Sequence, residues 1–237
     1  MDSRSGLAAF AVAVSLLFQS CNNITFDEPK EPRIEKEEVL YREKAEAGDL
    51  KAQVNLGKLL LSSHFKKPEG FSWLMKAAKA GDSGAQAGVG MCLIEGMGTD
   101  VDGDAGLEWL RRSAEAGSAE GQGAYGTALE EGKFVLRNYS EARKWYEKAA
   151  AQGDARSEYN LGVMYSEGHG VEQDYGQAVQ WWKRAAKHGH DGAMNNLGYC
   201  YQKGLGVRRN PDLALTYYRQ AIAKGNKMAE ENVRHMD

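Results

Sequence analysis

The chain has 237 residues, 30 of them basic and 33 acidic, for a formal net charge of −3 at neutral pH. That balance offers no basic stripe of the kind that nucleic acid demands. It carries 28 glycines against only 4 prolines, which suits many short, regularly terminated elements and excludes a collagenous or disordered chain.

Leu7 to Phe18 is an uncharged run of twelve apolar or small residues, preceded by Arg4. It is too short to cross a bilayer as a helix and suits the core of a signal peptide. The run ends at Gln19-Ser20-Cys21. This segment resembles a bacterial lipoprotein signal, in which a small residue precedes a cysteine that is lipidated and becomes the first mature residue. Ser20 fits that pattern, while Phe18 and Gln19 depart from it. Residues 1–20 are therefore expected to be a signal peptide and Cys21 a lipidation site. An ordinary cleaved signal with an incidental Cys21 is the alternative. Residues 21–34 are polar, include Pro29 and Pro32, and read as a flexible tether.

From there one period governs the chain. Gly81, Gly117, Gly153, Gly189 and Gly225 are each 36 residues apart, and Gly48 precedes Gly81 by 33. Each follows an Ala- and Lys-rich run such as Lys76-Ala77-Ala78-Lys79-Ala80, the sequence of a helix ending in a left-handed glycine cap. Nine residues after each capping glycine stand Gly57, Gly90, Gly126, Gly162 and Gly198. A glycine inside a helix costs about 1 kcal/mol against alanine, so five in one register imply close approach of a neighbouring helix. Apolar Leu56, Val89, Tyr125, Leu161 and Leu197 precede them, and Leu60, Leu93, Leu129, Tyr165 and Tyr201 follow on the same helix face. A second helix in each unit carries Trp73, Trp109, Trp145, Trp181 or Tyr217, then a second large residue: Leu74, Leu110, Tyr146, Trp182 or Tyr218. Between the two helices lie loops such as Glu167-Gly168-His169-Gly170 and Lys203-Gly204-Leu205-Gly206. The second helix then starts at Asp174, or at Asn210 with Pro211 in its first turn. The third unit's loop, Glu131-Gly132-Lys133-Phe134, keeps only the first glycine.

The units containing Asn196-Leu197-Gly198 … Gly204-Leu205-Gly206 … Tyr217-Tyr218 … Gly225 and Asn160-Leu161-Gly162 … Trp181-Trp182 … Ala185-Ala186 resemble the Sel-one-like repeat, a longer-looped relative of the tetratricopeptide repeat. The resemblance covers five units, 49–81, 82–117, 118–153, 154–189 and 190–225, with half-repeats 35–48 and 226–237. It implies an all-α fold, a right-handed α-solenoid of antiparallel helix pairs whose first helices line a concave groove.

Folds of this shape usually serve as scaffolds. The expected function is therefore a non-catalytic scaffold or adaptor of the bacterial cell envelope that binds a protein or peptide partner in the groove. Use of the convex face, as a structural or regulatory subunit of an envelope complex, is an alternative, and a cell-wall hydrolase a weaker one. Groove positions fall three, seven, ten and fourteen residues after each capping glycine. Asn55, Asn160 and Asn196 share one such register, and a side-chain amide can donate to and accept from a peptide backbone at once. The same asparagines could instead bond within the repeat. Arg156, Tyr159, Asn195 and Tyr199 complete the candidate groove residues. Gly84, Gly88, Ala124 and Thr127 offer a small-residue floor in the middle units.

No catalytic constellation, metal-ligand spacing or cofactor motif emerges. The Gly-x-Gly loops join two helices and lack the strand context of a phosphate cradle, and none of the five histidines has ligand spacing. Cys92 and Cys200 share an apolar slot three repeats apart, on the order of 25–30 Å by helix-packing distance, and are expected as buried free thiols. No nucleic acid, no cofactor and a monomeric state are expected. The location expected is the outer membrane through the lipid, or a soluble periplasmic or secreted form, with membrane attachment only through the N-terminal anchor.

Overall fold

The computed structural model describes residues 32–63 and 65–236. The expected signal peptide, Cys21 and all but the last residues of the tether lie outside the described residues. The chain divides into two compact units, residues 1–40 and 41–237. Of the first, residues 32–40 are described, and they are helical.

Among the described residues there are twelve α-helices. α1 is Pro32–Glu46. Five pairs follow: α2 (Leu50–Ser62) with α3 (Lys67–Lys79), α4 (Ser83–Glu95) with α5 (Gly103–Glu115), α6 (Ala119–Glu131) with α7 (Tyr139–Ala151), α8 (Ala155–Glu167) with α9 (Tyr175–Lys187), and α10 (Asp191–Lys203) with α11 (Pro211–Ala223). α12, Lys227–Arg234, closes the series. From α2 onward each helix packs on the next in sequence, so the second unit is an all-α solenoid of antiparallel pairs.

Local chemistry sets where the helices start and stop. Asp49, Asp82, Ser118, Asp154 and His190 each accept a hydrogen bond from the backbone N–H three residues on, capping the first helix of a pair. Asp102, Asn138, Asp174 and Asn210 do the same for second helices. Each such cap contributes about 1 kcal/mol. Second helices end ahead of Gly81, Gly117, Gly153, Gly189 and Gly225, whose φ angles of 84° to 98° lie in the left-handed region that a Cβ disfavours.

The glycine register inside the first helices has the cause its spacing implies. A Cβ on Gly57, Gly90, Gly126 or Gly198 would come within 2.6–2.9 Å of Leu74, Leu110, Tyr146 or Tyr218, and one on Gly162 would overlap the Trp182 indole. Every first helix therefore receives one large side chain from its partner, and all five of those side chains are buried. Burying each contributes roughly 1.5–3 kcal/mol. The aromatic residue just before it is partly buried against a neighbouring cluster and is covered by a cation three residues on: Lys76 over Trp73, Arg112 over Trp109, Lys148 over Trp145 and Arg184 over Trp181.

The loop between paired helices docks backwards onto the preceding pair. Gly98 abuts the Lys67–Pro68 peptide, Gly170 abuts Tyr139 and Gly206 abuts Tyr175, each with no room for a side chain. In the third unit Phe134 occupies this place and keeps the glycine-like φ of 60°. Its ring covers Gly103, where any Cβ would overlap it. Glycine and bulky residue have changed places across this one junction.

Candidate functional site

Side chains of the first helices form the groove, and its shape follows from the superhelical twist. Lys58 of α2 and Glu120 of α6 form an ion pair at 2.9 Å, joining the first and third units past the intervening α4. Lys58 lies ten residues after its capping glycine and Glu120 three after its own, so these two registers face each other across one unit. The floor beneath them carries Gly84 and Gly88, and a Cβ on Gly88 would press on Leu74 at 3.1 Å.

One unit further along, the equivalent positions are Met91 and Arg156. Methionine offers no charge, and the groove opens into a cavity of about 230 Å³. Met91, Ile94, Leu110, Ala124 and Ala128 give it an apolar floor, with the Thr127 side chain beside them. Glu95 and Glu131, at one register in successive units, stand at its edge together with Lys133 and Arg156. Thr127 is held in place, donating to the Gly123 carbonyl at 3.1 Å and receiving the Tyr146 hydroxyl at 3.1 Å. The Tyr146 hydroxyl also lies 2.7 Å from Glu130 Oε2, and its single proton serves one of these two acceptors at a time. Burial and the nearby Glu130 charge raise the Tyr146 phenol well above its ordinary range, so it remains a donor.

The other candidate residues are distributed along the fourth and fifth units, with Asn55 half-buried on α2 in the first. The Asn160 amide lies near the Tyr146 hydroxyl, and the Asn196 amide near that of Tyr159. Tyr159 stacks on His190 with ring centroids 4.3 Å apart. Asn195 is buried, accepts from Asn232 of α12 at 2.8 Å and donates to Asn196 at 3.4 Å. Tyr199 is exposed. Of the candidates, only Arg156 lines the cavity.

A polar cluster in the fourth unit went unread in the sequence. In the first three units a glutamine five residues after the capping glycine donates to the end of the preceding helix: Gln53 to the Ala45 carbonyl, Gln86 to Ala78 and Gln122 to Ala114, at 3.1–3.3 Å. The fourth unit has Glu158 there, fully buried and unable to donate as a carboxylate. Arg184 compensates. Its Nε meets Glu158 Oε1 at 3.1 Å and its Nη2 donates to the Ala150 carbonyl at 3.0 Å, while His188 Nδ1 meets Glu158 Oε2 at 2.7 Å. The signal was present as a Gln, Gln, Gln, Glu series in one register.

Cys92 and Cys200 are both buried and free, in separate hydrophobic clusters. Burial raises each thiol to about 11, so neither is a nucleophile near neutral pH. Among the described residues no group of three or more metal-binding side chains occurs, and no helix is long and apolar enough to cross a membrane.

The Sel1 repeat family model matches residues 50–82, 83–118, 119–154, 155–190 and 192–226, most of the chain. The chain belongs to the Sel1 repeat family. Sel1 repeat proteins are generally non-catalytic scaffolds for protein–protein interaction. Among solved structures, a Sel1 repeat protein of Oxalobacter formigenes is 27% identical at a TM-score of 0.73, with 83% of this chain and 86% of that one covered. A protective antigen of uropathogenic Escherichia coli with the same repeat fold is 31% identical at a TM-score of 0.69. That match covers 81% of this chain but 42% of the antigen, so the chain spans less than half the antigen's length. A Sel1 repeat protein of Klebsiella pneumoniae shares the fold at 23% identity and a TM-score of 0.61, over 84% of this chain and 98% of that one. No protein of curated function matches.

Proposed function

We propose that this Sel1 repeat protein is an exported envelope scaffold that holds a protein or peptide partner in its concave groove. The observation that carries this reading is the interruption of the groove-face ion pairing. Lys58 and Glu120 neutralise each other across the second unit, whereas Arg156 faces Met91 and borders an apolar-floored cavity. An apolar concavity ringed by a few charged groups is what a bound side chain requires. Asn55, Tyr159, Asn160, Asn195, Asn196 and Tyr199 then extend the binding face along the first helices. In this reading Asn160 and Asn196 exchange their tyrosine partners for the partner's backbone. Residues 1–20 serve for export, Cys21 carries the lipid, and the mature monomer works at the outer membrane or in the periplasm.

The experiment uses photo-crosslinking in intact cells with the full chain. Crosslinks to one envelope protein that disappear with Ala124→Trp, which fills the cavity, and survive Lys144→Glu/Gln180→Arg on exposed second-helix positions are expected. Loss by the second variant with retention by the first would move binding to the convex face. Labelled fatty acid should enter the wild-type chain and not Cys21→Ser; an unlabelled wild type would remove the anchor.

A further inference from the structure

The loop that follows the cavity-lining Lys133 carries exposed apolar side chains. Lys133 lines the cavity and its ammonium lies 5.9 Å from the Phe134 ring. Phe134 is held in a left-handed backbone conformation that a non-glycine residue rarely adopts. It is nevertheless 44% exposed, and Leu136 two residues on is 90% exposed. Val101, two residues before the Gly103 that the Phe134 ring covers, is 59% exposed. The loops of the second and third units thus expose three large apolar side chains, two of them, Phe134 and Leu136, close in sequence to the cavity-lining Lys133. The acidic groups around them, Asp100, Asp102, Asp104, Glu95 and Glu131, outnumber the basic Lys133, Arg137 and Arg156. Val101 and Gly103 alternate with Asp100, Asp102 and Asp104, all exposed. Glu95 and Glu131 border the adjoining cavity, and among the described residues neither carboxylate is held in an ion pair.

We infer that the second and third units anchor a peptide segment in which a long basic side chain, lysine or arginine, stands next to a large apolar one. The aliphatic stem of the basic residue lies along Met91, Ile94 and Ala124, and its charged end reaches the carboxylates of Glu95 and Glu131. Long cations bury their stems on apolar surface in this way while keeping the charge solvated or paired. The neighbouring apolar residue covers Phe134 and Leu136. Arg156, five donors on a planar group, takes the main-chain carbonyls of the segment. This assignment rests on the groove reading above and adds the chemistry of the partner.

The test is fluorescence anisotropy with labelled Gly/Ser peptides carrying a central Lys-Leu, Glu-Leu, norleucine-Leu or Lys-Ser pair. The Lys-Leu probe is expected to bind at least ~10-fold more tightly than each of the other three, which is the factor that about 1.4 kcal/mol supplies. Glu95→Lys/Glu131→Lys changes only groove-edge residues and should reverse the preference in favour of Glu-Leu. Leu136→Asp, at an almost fully exposed position, should weaken Lys-Leu and leave Lys-Ser unchanged. Equal binding of Lys-Leu and Glu-Leu, no binding of Lys-Leu, or an unaltered preference in the charge-reversed variant would each overturn the inference. Ala124→Trp separates the two levels. If it abolishes binding of probes that show no charge preference, the groove reading stands and the basic partner falls. If it leaves binding intact, the groove reading falls as well.

Discussion

Removing Arg184 should expose how the fourth unit tolerates a buried acid. In Arg184→Ala the Ala150 carbonyl keeps only the Gly153 N–H, at 3.1 Å, and Glu158, wholly buried, keeps only His188. Loss of one hydrogen bond costs about 0.5–1.5 kcal/mol, and removing one partner of a fully buried ion pair costs about 3–5 kcal/mol. The Arg184 side chain is 49% exposed, so water enters the vacated space, rehydrates Glu158 and brings the net cost below the sum of these ranges. The expected loss is about 2–3 kcal/mol, or roughly 4–12 °C in Tm for a domain of this size. Glu158→Gln added to Arg184→Ala should then recover about half of it, because the introduced amide could donate to the Ala150 carbonyl as Gln53, Gln86 and Gln122 donate in their own units. Thermal and urea unfolding followed by far-ultraviolet circular dichroism measure all four members of the cycle. A double variant no more stable than Arg184→Ala would refute the idea that Glu158 occupies a glutamine's place and that Arg184 supplies the donor it lacks.

Three further outcomes follow from the packing. Gly103→Ala should lower stability by about 2 kcal/mol through displacement of the Phe134 ring, yet be neutral or mildly favourable in a Phe134→Gly background; additive effects within about 0.5 kcal/mol would break the proposed exchange. His190 caps α10 through its Nδ1, and burial holds its pKa below the ordinary 6.5. The unfolded chain therefore takes up this proton first, so the contribution of His190 is complete above about pH 6.5 and declines as pH falls toward the folded value. The loss of stability as pH falls below about 6.5 should shrink in His190→Asn, and an unchanged pH slope in unfolding experiments would count against it. In Cys21→Ser, Cys92 and Cys200 should resist a thiol reagent at neutral pH and react together on unfolding; rapid labelling of the native chain would contradict their burial.

The sequence carried the architecture because repetition made its packing rules visible. A glycine nine residues after a cap is ambiguous alone, but five copies facing five large residues leave one explanation. The slot shared by Cys92, Cys200 and Met164 was readable as core for the same reason, and all three are buried. The groove was less legible. Met91 and Arg156 meet because the twist brings the tenth position of one unit toward the third position two units on, and that angle is written in no single repeat. Glu95, Glu131 and the apolar Met91 became site residues only through this offset. Asn160 and Asn196 share a register with Asn55, but the tyrosines they approach lie on different elements, Tyr146 on α7 and Tyr159 on α8. Glu158 escaped notice because a buried acid resembles a surface one in sequence until its register-mates are read beside it.

The backward docking of the loops gives the array a direction. Gly98, Phe134, Gly170 and Gly206 each rest on the start of a second helix that precedes them in the chain. A nascent chain leaving the ribosome or a secretion channel amino end first thus meets each landing surface before the loop that needs it. Shortening from the carboxyl end uncovers a landing surface at each step and leaves the remaining loops seated, while shortening from the amino end strands a loop with nothing beneath it. The protein should therefore be built, and be trimmed, more safely from one end than from the other.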